Sequence, residues 1–269
     1  MNRRGWIVHA TIGCVSLFLL VAPTWGAVDP RAIMEGVYQQ DTSHDTTMKA
    51  VFDIYDKDGH KTTKKFVVYR LGSPGDSKTR VVFTDPAEIR GVTLLSYNHK
   101  GDIDRQWLYI PATQRTRSIT PRELSEKFAG TDFTYEDVEE RVLDNFTYRL
   151  LSDNETIDGH KTYKIEARPV DATRSQYSYV YYWVGQDVPV VLHAEMYDKD
   201  GKLVRELHAS GLKKASGISG ARHVEMQSVE DKTRTVLTID EVKFNQHLDD
   251  KMFTPEGLGS AAPQKPSAP

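Results

Sequence analysis

Apolar and polar residues alternate with a period of two along most of the chain, the mark of strands whose side chains point in turn to opposite faces. Met48, Ala50, Phe52 and Ile54 alternate with Lys49, Val51, Asp53 and Tyr55, and the run stops at Asp56-Lys57-Asp58-Gly59, where glycine can supply the positive φ of a hairpin tip. Similar segments follow at residues 64–71, 79–84, 92–98, 106–110, 115–119, 146–152, 162–168, 177–184, 190–197, 203–210, 224–228 and 234–244. Short turns separate nearly all of them and no helices alternate with them, which predicts a long antiparallel meander. One helix is predicted ahead of the strands. Asp29 can cap it, Pro30 fits its first turn, and Ile33, Met34 and Val37 form an apolar stripe. The meander breaks at Thr120–Glu140, where Pro121, Arg122, Glu123, Leu124 and Phe128 predict a short helix and a loop.

Some strands are apolar on both faces. Tyr177, Tyr179, Tyr181 and Trp183 share one side, with Ser178, Val180, Tyr182 and Val184 on the other. Two readings stay open: a strand covered on both sides, or a strand with one aromatic face lining a cavity. The turn Asp56–Gly59 has an echo at Asp198-Lys199-Asp200-Gly201. A calcium loop needs a later glycine and a closing glutamate, so both read as solvated hairpin turns.

The ends add a compartment. Arg3 and Arg4, an apolar run over Trp6–Val21 and the small residues Thr24 and Gly26 have the order of a secretory signal peptide, with the cut expected after Gly26. The apolar run is shorter than the about 20 residues of a spanning helix. Cys14, the single cysteine, falls within it, so the mature chain is expected to have neither disulfides nor Cys-ligated metal. Loss of Arg3 and Arg4 leaves 33 basic against 38 acidic residues, a net charge of −5. Without clustered Lys and Arg, nucleic acid is not an expected partner. Residues 259–269 are too poor in apolar side chains to be expected to fold. The expected layout is a signal peptide at 1–26, one domain at 27–258 and a disordered tail at 259–269.

Candidate chemistry is sparse. The nine histidines are scattered, and no His-Glu-x-x-His, Gly-x-Ser-x-Gly or phosphate loop occurs. Glu136 and Asp137, with Asp132 nearby, could act as an acid–base pair on a lipid or glycan. Adjacent side chains on an extended segment diverge, however, and the favoured reading is a capped turn in which Glu136 meets Arg115, Arg117 or Arg141.

Three ordered motifs carry a family resemblance: Asp85-Pro-Ala-Glu-Ile-Arg-Gly-Val-Thr-Leu-Leu95, Gln106-Trp-Leu-Tyr-Ile-Pro111 and Phe128-Ala-Gly-Thr-Asp-Phe-Thr-Tyr-Glu-Asp137. With Tyr197–Gly201 and Asp249-Asp-Lys-Met-Phe253, they make the chain resemble the outer membrane lipoprotein-sorting protein family, which is similar to the periplasmic carriers LolA and LolB. The resemblance implies a mainly β protein, an incomplete antiparallel barrel of about eleven strands under a helical lid. It also implies a periplasmic, monomeric carrier, without catalysis, metal or cofactor, that takes acyl chains of a lipid or lipidated protein toward the outer membrane. An inner-membrane exporter of the resistance-nodulation-division (RND) class is a further implied partner, and an accessory subunit of such an exporter is the alternative reading. Phe52, Ile54, Val68, Leu95, Trp107, Tyr109, Phe128, Phe133, Tyr135, Tyr181, Trp183 and Met196 are the candidate cavity and lid residues. Gly130, Thr131, Asp132, Glu136 and Asp137 are the expected anchors of the motif's turn. Arg70 or Arg90 is the candidate for the arginine that, in the dedicated carrier, bonds barrel to lid.

Overall fold

Each alternating segment becomes a strand. The computed structural model describes residues 28–98 and 105–259. Its strands are β1 (Asp45–Tyr55), β2 (Lys61–Ser73), β3 (Asp76–Asp85), β4 (Thr93–Asn98), β5 (Arg105–Ile110), β6 (Arg115–Ser118), β7 (Phe146–Ile157), β8 (His160–Pro169), β9 (Tyr179–Gly185), β10 (Val191–Tyr197), β11 (Leu203–Ala215), β12 (Ile218–Ser228) and β13 (Thr233–Phe244). All lie in one 13-stranded sheet in the order β6-β5-β4-β3-β2-β1-β13-β12-β11-β10-β9-β8-β7. The period-two pattern marks all of these strands, two more than the eleven or so implied by the resemblance.

The order makes two meanders, β1–β6 and β7–β13, joined where β1 pairs antiparallel with β13 from Thr46↔Phe244 to Tyr55↔Arg234. The outermost strands are β6 and β7, consecutive in sequence but unpaired with each other. The sheet therefore stays open and is not closed into a barrel. The chain between these edges, residues 119–145, has one place to go: across the gap.

That segment and the helix α1 (Pro30–Gln39) cover one face of the sheet, called here the inner face. Asp29 caps α1 by accepting from the Arg31 amide at 2.9 Å, and Met34 is fully buried from its apolar stripe. Ala50, Phe52, Phe66, Val81, Phe83, Leu94, Ile165, Val180, Tyr182, Ala194, Met196 and Met226 of the strands join it in the main core. The expected helical lid is only partly helical, with 3-10 turns at Pro121–Ser125, Phe128–Gly130 and Leu143–Asn145 and non-helical chain between them.

A second core lies on the outer face. Past β13 the chain turns at Asn245 and lays 3-10 turns at Asp250–Phe253 and Pro255–Gly259 across β3–β6. Met252, Phe253 and Leu258 of this strap pack on Leu95, with Trp107, Tyr109, Tyr97, Tyr69 and Leu71 around them. Its polar ties are specific. The Asp45 carboxylate, 0% exposed, accepts from the amides of Gln246, His247 and Leu248 at 2.6, 2.9 and 3.3 Å. Buried Arg80 donates to the carbonyls of Met252 and Leu258 at 3.0 and 3.4 Å, and the Tyr97 hydroxyl donates to that of Phe253.

Candidate functional site

The site is built around residues 119–145. Thr120 begins it with a capping box: its amide and hydroxyl donate to Glu123 Oε2 at 2.9 and 2.8 Å, and Glu123 Oε1 meets Arg117 at 2.6 Å. Next comes a tight loop, closed by the Phe128 amide donating to the Phe133 carbonyl at 2.8 Å and by a bridge between Lys127 and Thr134. Ala129 and Gly130 take positive φ values of 50° and 71°. Glycine meets this without cost, whereas alanine there costs about 1–2 kcal/mol. Thr131 Oγ1 donates to the carbonyls of Phe128 and Phe133 at 2.7 and 3.2 Å, holding the loop in shape.

This local geometry aims three rings at the sheet. Phe133 lies 5.6 Å from Phe52 between centroids, Phe128 5.6 Å from Phe83, and Tyr135 5.6 Å from Phe128. Phe66 links the strand side, 4.5 Å from Phe52 and 5.7 Å from Phe83. Two lid phenylalanines thus meet two strand phenylalanines and Tyr135 backs Phe128, while burial raises the Tyr135 phenol above its ordinary value.

The acids of the motif anchor this lid. Asp132, buried, accepts from Thr235 Oγ1 at 2.7 Å and from the Thr233 hydroxyl of β13, while its amide donates to Thr235 Oγ1 at 2.9 Å. Asp137 accepts from the Thr134 amide and hydroxyl, both at 2.8 Å, and from the Tyr177 hydroxyl at 2.8 Å. Glu136 accepts from Ser175 Oγ and, at 2.9 Å, from the Gln176 amide, in place of the expected arginine. The Glu136 and Asp137 carboxylates thus both accept hydrogen bonds from within the protein, as anchors of the turn.

Two cations on the strands reach the lid backbone: Lys64 Nζ donates to the Ala129 carbonyl and Arg205 Nε to the Asp132 carbonyl at 2.5 and 3.1 Å. Arg205 also donates to Gln176 Oε1 and the Tyr177 hydroxyl at 3.1 and 3.2 Å. These fill the role expected of Arg70 or Arg90. Arg70 instead holds Asp41, after α1, at 2.7 Å, and exposed Arg90 donates to the Thr84 carbonyl at 3.1 Å. Phe66, Phe83, Lys64 and Arg205 were missed as site residues. The phenylalanines sit at inward positions of alternating strands, a signal open to reading; a lone charged strand residue carries no comparable mark.

Of the expected cavity residues, the structure brings together Phe52, Ile54, Val68, Phe128, Phe133, Tyr135 and Met196 on the inner face. It puts the others elsewhere. Leu95, Trp107 and Tyr109 point outward into the strap core, because β4 and β5 turn Leu94 and Leu108 inward instead. Tyr181 and Trp183 also point outward, because β9 turns Val180, Tyr182 and Val184 to the inner core. There Tyr179 stacks on Tyr197 at 4.6 Å, Trp183 lies 4.8 Å from His193, and Lys164 lies over Trp183 at 4.3 Å. Among the described residues, the one group with three metal-capable ligands is Asp56, Asp58 and His60, all exposed. Asp56 Oδ1 serves there as the turn's acceptor for the amides of Asp58 and His60, as Asp198 does for those of Asp200 and Lys202.

Between the two sheet edges, beside the lid, a cleft of about 710 Å³ opens. Gln106 and Ser118 line it from one edge, Phe146 and Val170 from the other, and Ile119 and Arg141 from the lid segment.

A family model with the description "Uncharacterized protein" matches residues 75–260, more than half of the chain. The chain belongs to that family. A DUF1329 family protein from Desulfovibrio piger is 28% identical over 86% of this chain and 100% of its own, with a TM-score of 0.81. A putative outer membrane lipoprotein-sorting protein domain from Vibrio parahaemolyticus is 24% identical, over 86% of this chain and 98% of its own, with a TM-score of 0.80. A LolA superfamily protein from Nitrosomonas europaea is 21% identical, over 85% and 98%, with a TM-score of 0.69. These two share the fold, so the resemblance to the lipoprotein-sorting proteins holds at the level of a LolA-like open sheet. No curated protein matches the chain.

Proposed function

We propose that the protein is a non-catalytic carrier which takes acyl chains of a lipid or lipidated protein against the inner face of its sheet when residues 119–145 withdraw. One observation carries the reading: the apolar inner face is occupied by three aromatic side chains of a connection that bridges two unpaired sheet edges. Such a connection can leave without breaking the main strand ladders. Its departure would uncover Phe52, Phe66 and Phe83, and acyl chains would restore the lost burial at about 0.8 kcal/mol per CH₂. The signal-like N-terminal segment and the likeness to lipoprotein-sorting proteins support a periplasmic site of action and a cargo bound for the outer membrane.

The test uses the delipidated full chain and a fluorescent fatty acid. Stoichiometric binding is expected, with loss of binding in Phe52→Asp. A disulfide formed between Asp132→Cys and Thr235→Cys should block uptake until it is reduced. Equal uptake by the oxidised and reduced forms would remove the lid from the mechanism, and no binding of any acylated ligand would end the carrier reading. We assign the partner expected above, an RND-class exporter, to the outer face of β8–β11, on the ground that Tyr179, Tyr181 and Tyr197 are only half-buried there. Tyr181→Ala should then weaken co-purification with the exporter and leave fatty-acid binding unchanged.

A further inference from the structure

Arg141 differs from the other charged residues of the cleft. Its guanidinium lies 4.6 Å from the Phe146 ring centroid and 5.5 Å from that of Tyr182. Stacking on rings fixes the plane of a guanidinium but supplies no acceptor. Nη1 is buried and has no hydrogen-bond partner among the described residues. The hydroxyl of Tyr148, two residues beyond Phe146 on β7, is buried and unpartnered in the same way. Tyr148 is close enough for the Arg141 charge to act on its phenol, although burial is the larger influence and raises it. A buried donor without an acceptor costs about 1–3 kcal/mol, more when charged, so an unpartnered guanidinium nitrogen on the side chain of a cleft residue calls for an explanation.

The cleft's acids do not provide it. Glu136, Glu140, Asp144 and Asp171, four of the five acids that line the cleft, are engaged by Gln176, Ser77, Arg31 and Thr173 respectively, and the fifth, Glu139, is not free either. Ile119, Leu124 and Phe146 line it as well and also pack on the inner core, so an apolar path runs from Arg141 to the lid aromatics. A ligand that suits both ends has an anionic, forked acceptor at one end and hydrocarbon at the other.

We propose that Arg141 receives the carboxylate or phosphate head group of the amphiphile whose chains lie against the inner face. This inference rests on the carrier reading above. Head-group recognition is short-range, because three arginines and five acids line the cleft and their summed field does not draw anions from a distance.

The experiment compares palmitate, a palmitoyl lysophosphatidic acid and neutral monopalmitin as ligands of the delipidated full chain. The two anions should bind about tenfold or more tightly than the neutral ligand. Arg141→Gln should erase that preference while retaining monopalmitin affinity, and Arg141→Lys should restore part of it. Equal binding of charged and neutral ligands by the wild type, which requires no folded variant, overturns the head-group site but keeps the carrier. No binding of any of the three overturns the carrier reading itself. Inorganic phosphate and acetate separate a head group from a free anion. Stabilisation of the wild type but not of Arg141→Gln by these ions alone, without an anionic-lipid preference, overturns the proposal in favour of a small-anion site.

Discussion

The two meanders present opposite solutions for the outer face of one sheet. On β2–β5 the outward aromatics Tyr97, Trp107 and Tyr109 are roofed by the strap, and both Leu95 and Phe253 are fully buried. On β8–β11 the outward residues Tyr179, Tyr181, Trp183 and Tyr197 shield one another, with Arg168 4.6 Å over Tyr179 and Lys164 5.1 Å over Tyr181. The first is a hydrophobic core; the second is a mutually packed surface of rings and cations. Aromatic content alone does not separate a core from a surface: what covers the rings decides how much each contributes.

That contrast can be broken by removing one side chain at a time. Phe253→Ala should destabilise by about 3–5 kcal/mol, since it empties a closed core, and denaturant unfolding would show it. A loss below about 1 kcal/mol would mean that the strap does not roof β2–β5 in solution. Asp45→Ala should come next, at about 2–3 kcal/mol, because three strap amides lose their charged acceptor. Increased protease cleavage after residue 245 should accompany it.

On the other meander, Glu166→Gln tests the charges among the rings. Burial works to raise the Glu166 carboxyl, but hydrogen bonds from Arg168 and Arg149 outweigh it and hold the group below the ordinary glutamate value. A carboxyl held low in the folded state contributes stability above its unfolded value, about 4.3, and loses that contribution as pH falls through the folded value. The arginines are largely exposed, so about 1 kcal/mol is expected at neutral pH. The gap between wild type and variant should close in acid melts below about pH 4, and a gap constant down to the folded value would remove the charge explanation. Tyr181→Ala should cost least, about 0.5–1 kcal/mol, for loss of ring and cation contacts on an unroofed face. A cost matching that of Phe253→Ala would erase the contrast between the meanders.

Strand positions were open to sequence reading because alternation survives wherever one face is more polar than the other. Facing was harder. β4 carries Leu94 and Leu95 in succession and β9 carries Tyr181, Tyr182 and Trp183, so neither face declares itself. The answer lies with distant chain: the strap roofs β4, and Lys164 and Arg168 of β8 stack on the outer rings of β9. The motif Phe128–Asp137 was legible as a turn held by its acids, since Thr, Asp and Gly at close spacing bond to nearby backbone. Its partners Thr233, Thr235 and Arg205 come from β11 and β13, and local spacing says nothing about them. Arg80 shows the same limit, because a strand arginine ordinarily marks a solvent face, yet this one holds two carbonyls beneath the strap.

The seam between β1 and β13 also imposes a timetable on synthesis. β2 is made next and can pair with one edge of β1, but the other edge must wait, with Ala50 and Phe52 on its strand, until all the strands between β1 and β13 and then β13 itself have been made. Pairings this distant in sequence form slowly, and waiting strand edges recruit neighbouring molecules. The nascent chain is therefore most prone to aggregate in the interval that ends when β13 docks.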